Sequence, residues 1–379
     1  MSSSEKNPQS AAAGTVPGRS ETASLLGKGA LVLLALLLPF LTACAPGTHT
    51  AYVTLPEDNA VAAFRIRDVS AAFTTIVGSP FLTGASPGPV LVHPSGKFVY
   101  VANRIDNTIS LFQINSLIGS LSEITPRTST ALDPAAMLMN AGGNLLFVAN
   151  EVSSSISVYS INSVSGALSL VAGTPVPTPP NPVAFALTPS GSFLYVVNSN
   201  LASVFAYSVA ASGALQPVAG SPFAAGVGAF ALAIDPGEKF VYVANSTANT
   251  VSIFAINSNG ALSPVAGSPF ATGTAPVSVA TDTSGQYLYI ANEGSNNITE
   301  YSIDSTTGFP TVITGSPLSA GTAPVFLVPD PDGYFIYVVS DSTKTITAYS
   351  ITSGTGALSS NGQSATTDVA AGGVSVSKQ

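Results

Sequence analysis

From about residue 50 onward the chain alternates short apolar runs with short polar turns on a fixed beat. FVYVANRIDNTISLF (98–112) is one apolar run, a polar turn and a second apolar run. The same pattern returns as TAYVTLPEDNAVAAF (50–64), LLFVANEVSSSISVY (145–159), FLYVVNSNLASVFAY (193–207), FVYVANSTANTVSIF (240–254), YLYIANEGSNNITEY (287–301) and FIYVVSDSTKTITAY (335–349). The closing aromatics, Phe64, Phe112, Tyr159, Tyr207, Phe254, Tyr301 and Tyr349, are spaced 47 or 48 residues apart. A constant period in the forties, with several strands in each repeat, predicts the blades of a β-propeller.

Each repeat divides into four strands. An apolar run such as Val277-Ser278-Val279-Ala280 leads to a Ser-Gly or Asp-Gly turn (Ser95-Gly96, Ser190-Gly191, Ser284-Gly285, Asp332-Gly333). The YVAN-type strand, a polar turn and the TISLF-type strand follow. A Gly-Ala-Leu segment (Gly166, Gly213, Gly260 and Gly356 each begin one) and a long return such as AGSPFATGTAP complete the unit. Glycine suits these turns because tight hairpins use positive φ. The YVAN strands are apolar at alternate positions on both sides, which suits a blade covered by neighbours on each face. No helical periodicity appears after the N-terminal segment. The first repeat lacks an innermost strand, and AAGGVSVS (370–377) resembles GTAPVSVA (273–280), so the C-terminal tail is expected to complete the N-terminal blade. The predicted fold is all-β, a seven-bladed β-propeller of four-stranded antiparallel blades, its ring closed by the C-terminal strand and its exposed edges removed.

Composition agrees with this pattern and narrows the chemistry. Only 8% of residues are charged, while 34 Gly and 28 Pro punctuate the 379-residue chain. The formal net charge of -8 argues against nucleic acid, which calls for a basic stripe. Near the N-terminus, Lys28 precedes the apolar run Ala30 to Leu41, too short to span a bilayer and suited to a signal-peptide core. Leu41-Thr42-Ala43-Cys44 follows directly, and it resembles a bacterial lipobox in which Cys44, the sole cysteine of the chain, receives the lipid. Ala45 after it resembles the pattern of lipoproteins sent to the outer membrane. The expected organisation is a signal segment over 1–43, a lipidated N-terminus and linker over 44–50 that includes His49, and the propeller over 51–379. Processing would remove three basic and two acidic residues, leaving 8 basic and 17 acidic ones and an acidic surface. The expected location is the cell envelope, with the membrane met through the lipid alone and the domain monomeric. With Cys44 lipidated, no thiol remains for a disulfide.

The YVAN strands, the Ser-Gly and Asp-Gly turns, the GALSPVAGSPF returns and the seven copies together resemble the seven-bladed β-propeller lactonase-like family, which includes 6-phosphogluconolactonases, and the related YVTN-repeat propellers. The resemblance covers residues 50–379. It implies the fold strongly and the reaction weakly, because those motifs are structural. Lactonases of this fold are expected to use His, Arg and Glu at the mouth of the channel.

Candidate chemistry lies in the turns after YVAN, which share one face of the disc with the long returns. These turns carry Glu57 and Asp58, Arg104 and Asp106, Glu151, Glu293 and Asp341, and Arg127 lies in a return segment that approaches the same face. As a polar site, Arg104 and Arg127 would hold a carbonyl or carboxylate, and Glu151 or Glu293 would orient a water. The alternative is the scattered charge of any soluble disc. The two histidines, His49 and His93, fall in the linker and at an innermost strand's far end, so a serine-histidine-acid arrangement is not expected. No His or Cys spacing suits zinc or copper, and no cofactor is expected. Ca²⁺ bridging Glu151, Glu293 and Asp341 has no supporting spacing, and Asp330-Pro331-Asp332-Gly333 occupies the place of a Ser-Gly turn. The leading expectation is a binding or interaction module for a small molecule, glycan or protein at the loop face. The alternative is a lactone hydrolase, more plausibly on an uncharged lactone because the innermost strands carry no Lys or Arg.

Overall fold

Alternation of apolar and polar positions within each repeat yields strands that pair antiparallel into blades, and the innermost strands of successive blades lie side by side around a ring. The computed structural model describes residues 48–199 and 201–378. In the second blade the strands run Pro87–Val92, Phe98–Asn103, Thr108–Ile114 and Leu121–Ser129 from the channel outward. The seven-bladed, four-stranded, all-β expectation is the architecture found. The YVAN strands Phe98–Asn103, Leu145–Asn150, Phe240–Asn245 and Phe335–Ser340 are buried at every position, as two-sided apolar strands must be when each sheet face meets another blade.

In five blades the outermost strand is interrupted, and both pieces pair with the third strand. In the fifth blade Leu262–Pro264 and Phe270–Ala271 both flank Thr250–Ile256. The Gly-Ser-Pro-Phe motif fills the gap. Ser268 Oγ accepts the Ile253 N–H at 2.9 Å, as Ser221 does for Ala206 and Ser79 for Ala63. A side-chain oxygen thus satisfies a ladder donor that the interruption would leave unpaired.

The tyrosine of YVAN joins neighbouring blades. Tyr52, Tyr100, Tyr195 and Tyr289 donate their hydroxyls to the carbonyls of Gly119, Gly166, Gly260 and Gly356, each in the outer turn of the next blade, at 2.7–2.9 Å. Gly260 is required there. Its φ is +81°, and a Cβ would stand 2.3 Å from Phe193 of the adjoining blade. Blade three has Phe147 at the tyrosine position and goes without the bond. Tyr100→Phe is expected to lower unfolding free energy by about 1 kcal/mol, since the buried Gly166 carbonyl loses its donor. Urea unfolding of the two proteins measures it, and equal midpoints would remove the clamp's role.

A carboxylate is buried within the third strand of the sixth blade. Glu300 occupies the place that Ile253 fills in the preceding blade, is 2% exposed, and accepts the Leu358 N–H of the seventh blade at 3.2 Å. Burial raises its carboxyl above the ordinary range, with the Leu358 bond opposing. A raised folded value means stability is fully present below the unfolded carboxyl's pKa and is lost as pH rises through the folded one. Glu300→Gln keeps an acceptor for Leu358 and removes the charge. The variant is expected to unfold at a higher temperature than the parent at pH 8 and to lose that advantage at pH 4.

The ring closes as the repeat count requires. Gly373–Lys378 pairs antiparallel with Thr48–Leu55 in the register His49↔Lys378, Tyr52↔Ser375 and Thr54↔Gly373, so one blade is assembled from both ends of the chain. Its inner edge meets the second blade, where Thr54 Oγ1 donates to Gly88 O at 2.6 Å and the Val92 N–H donates to Ser375 Oγ at 3.3 Å. The first strand begins at Thr48, earlier than the boundary expected after residue 50. His49 therefore sits not in a linker but in a strand, between Ile66 and Lys378, because the tail offers it a partner. The signal segment 1–43 and the lipidation site Cys44 lie outside the described residues.

Candidate active site at the turn face

The turn after Asn103 is held by its own backbone and by the return ahead of it. The Arg104 N–H donates to Ser86 O at 2.9 Å, and Asp106 Oδ2 accepts the Ala85 N–H at 2.7 Å. Asn103 is fully buried, its Oδ1 accepting the Gly84 N–H and its Nδ2 donating to Thr108 and Ser110. Asn107 closes the turn at φ +56°, a conformation Asn tolerates, and its Oδ1 accepts the Asp133 N–H at 2.7 Å. One turn in the second blade thereby fixes the backbone at the entrance of the third.

Arg104 uses that placement. Its stem runs over Gly88, where any Cβ would come within 3.0 Å of Arg104 Cδ, and its head reaches into the third blade. Nε donates to Asp133 Oδ1 at 2.6 Å and Nη2 to Asp133 Oδ2 at 2.9 Å, a two-point fork. Nη2 also donates to Glu151 Oε2 at 2.6 Å. Nη1 and Glu151 Oε1 have no hydrogen-bond partner among the described residues. The Asp133 hydrogen bond, reinforced by the charges of Asp133 and Glu151, holds the guanidinium above its ordinary pKa against partial desolvation. The side chain is 38% exposed, so the fork positions the group more than it stabilises the fold. Ser86, Arg104, Asn107 and Asp133 line a shallow cleft of about 450 Å³ whose apolar wall is Ile105, Leu132 and Val152, all exposed, and Glu151 stands beside it through its bond to Arg104.

Of the residues expected at the site, Arg104 and Glu151 are brought together. Arg127 and Asp106 form a second, looser group. Arg127 sits in the outermost strand of the second blade rather than in a return, donates from Nε to Glu123 at 2.7 Å, and has Nη1 3.7 Å from Asp106. Glu293, on the sixth blade, and Glu57 and Asp58, on the first, are exposed on their own turns. Asp341, on the seventh blade, accepts the Ala371 N–H at 3.2 Å and so anchors the C-terminal tail. Asp133 was not among the expected residues. The residues preceding the innermost strands at this position are Ser86, Asp133, Asn181, Gly228, Ala275, Ala323 and Gly372, and Asp133 is the charged one. Aligning the return ends as closely as the YVAN turns would have singled it out.

The opposite face holds the Ser-Gly turns. His93 lies there, 2.8 Å from Ser95 Oγ through Nδ1 and 2.8 Å from Gly143 O through Nε2. A larger cleft of about 730 Å³ opens at that end of blades six and seven. Its lining holds one acid, Asp304, and neither arginine nor lysine, whereas Arg104 brings a charged donor to the smaller cleft, which is therefore the better place for chemistry.

The chain matches the family model described as lactonase, 7-bladed beta-propeller, over residues 42–185 and 179–376. No curated protein matches it. Among solved structures it is similar to a candidate 6-phosphogluconolactonase from Bacteroides uniformis (16% identity, 88% of this chain and 100% of that one, TM-score 0.75). A second from Bacteroides fragilis shares 20% identity over 87% of this chain and 98% of its own, with a TM-score of 0.75. A periplasmic gluconolactonase from Pseudomonas aeruginosa shares 18% identity over 87% and 99%, with a TM-score of 0.74. At these identities the structural likenesses speak to the fold, and the family model, matched over nearly all of the propeller, shows that this chain belongs to the seven-bladed β-propeller lactonase family.

Proposed function

We propose that the protein is a lactone hydrolase acting on an uncharged lactone in the cleft at Arg104. The observation that carries this reading is the pairing of an unoccupied donor, Arg104 Nη1, with an unoccupied acceptor, Glu151 Oε1, on one locked ion cluster. Arg104 would donate to the lactone carbonyl, where negative charge grows as water attacks. Glu151 would take the water's proton and return it to the ring oxygen as the C–O bond breaks, giving a hydroxy acid. Asp133 would hold the guanidinium in place.

Charge supports a neutral substrate. Arg104 is matched by two carboxylates, and Arg127 by Glu123 and Asp106, so no net positive charge faces the cleft. A phosphorylated lactone would meet like charge. Membership in a lactonase family favours hydrolysis over the binding module that the turns alone suggest. We also propose that the domain is exported and held to a membrane by lipid on Cys44, which agrees with the periplasmic description of the Pseudomonas aeruginosa protein.

The test is turnover of a panel of neutral and phosphorylated lactones by the full-length chain. Hydrolysis of neutral lactones, reduced about a hundredfold or more in Glu151→Gln with the fold intact by circular dichroism, is the expected result. Absence of turnover across the panel would leave the face as a binding surface.

A further inference from the structure

On the face opposite the proposed active site, at the seam where the ring closes, four chain segments converge on one imidazole. His49 comes from the first strand, Asp68 from the end of the next, Asp330 and Asp332 from the seventh blade's turn, and Lys378 from the C-terminal strand. The His49 side chain is 1% exposed. Asp68 Oδ1 lies 2.9 Å from Nδ1, Asp330 Oδ1 lies 3.5 Å from Nδ1, and Asp332 Oδ2 lies 3.4 Å from Nε2. Despite these short distances neither ring nitrogen makes an aligned hydrogen bond among the described residues, and Asp68 Oδ1 is likewise buried without one. Three polar atoms left unmatched in one pocket is an arrangement that folding alone should disfavour.

We propose that His49, Asp68 and Asp332 bind a divalent transition cation, of which Zn²⁺ is the best fit. Ligand atoms of the three lie within 4.8 Å of one another, close enough to share one ion. An imidazole with two carboxylates is a donor set that suits zinc and leaves a position for water. Asp330 is engaged by the Tyr334 N–H and the Tyr337 hydroxyl, so it serves as the neighbouring carboxylate that orients the imidazole. With a neutral imidazole, three carboxylates against one lysine leave an excess of two negative charges, which a divalent ion balances. Asp68 and Asp332, at 17% and 23% exposure, give the ion a path from solvent. The Lys378 ammonium, paired with Asp332 and 66% exposed, can swing aside. Such an ion would tie the first blade to the seventh at the seam where the ring closes.

The test is calorimetric titration of the chelator-stripped full-length chain with Zn²⁺ alone, paired with thermal unfolding. One equivalent is expected to bind, and saturation is expected to raise the unfolding midpoint by a few degrees. His49→Gln and Asp332→Asn should each weaken binding at least about tenfold, whereas Asp341→Asn, on the other face, should not. Lys378→Gln removes the competitor for Asp332 and should tighten binding. Asp332→Asn changes a partly exposed turn, so it keeps the test valid if His49→Gln fails to fold. No saturable Zn²⁺ binding by the parent, or equal binding by the parent and Asp332→Asn, overturns the site. These readouts do not depend on lactone turnover.

Discussion

Deleting residues 370–379 is expected to lower the unfolding midpoint of the propeller by about 10 °C or more, or to leave the chain insoluble. The deletion removes the inner partner of Thr48–Leu55 along six register positions. It also strips Ala371, Val374 and Val376 from the core they share with Ala51, Val53, Tyr337 and Val339. The exposed strand could not be covered by another blade, because each neighbour already has its full set. An open ring would present unpaired backbone donors and acceptors along an apolar edge, and that is a template for association. Differential scanning calorimetry of the full-length and truncated chains measures the effect. A transition unchanged in temperature and enthalpy would mean that the tail decorates a ring closed by other means.

Arg104→Ala is expected to lower kcat/KM for the best neutral lactone at least a hundredfold, a loss of about 3 kcal/mol in transition-state stabilisation. The fall should sit mainly in kcat, because the donor matters most when charge develops on the carbonyl oxygen. Stability should change little, since the Arg104 ion pairs are partly exposed and bridge two turns rather than two cores. Arg104→Lys is the sharper comparison. An ammonium keeps the charge but cannot grip both Asp133 oxygens and still present a donor to substrate, so it should recover only a small part of the activity. Asp133→Asn weakens the fork while leaving the guanidinium present, and it should lower kcat with KM nearly unchanged. Full activity in Arg104→Ala would move the chemistry away from this cleft.

Much of the molecule was legible before any coordinates. Residues 98–112 and their six relatives carry the blade in their own pattern, because a strand covered on both sides favours apolar residues on both faces, and the defect at the first repeat pointed to the tail. The candidate site was legible in part. Arg104 and Glu151 stood out as charges in the polar turns, but Glu293 stood out with them, and Glu57, Asp58 and Asp341 were candidates for ligand binding, all of which the ring distributes over other blades. Asp133 was missed because a single acid in a return stands out only when the ends of the seven returns are aligned with one another. Glu300 was hidden inside an apolar strand, where its meaning depends on the Leu358 N–H of another blade.

The sequence by itself determined the blade, the number of blades and the manner of closure, since these follow from a local pattern repeated at a fixed interval and from one strand missing at one end. Tertiary structure alone decided which charges meet. Arg104 finds Asp133 and Glu151 because neighbouring blades place the end of one turn over the start of the next inner strand. His49 finds Asp68, Asp330 and Asp332 because closing the ring brings residues from both ends of the chain within a few ångströms. Contacts between positions nearly 300 residues apart leave no mark on local hydrophobic order, and electrostatic interaction depends on distance in space rather than along the chain.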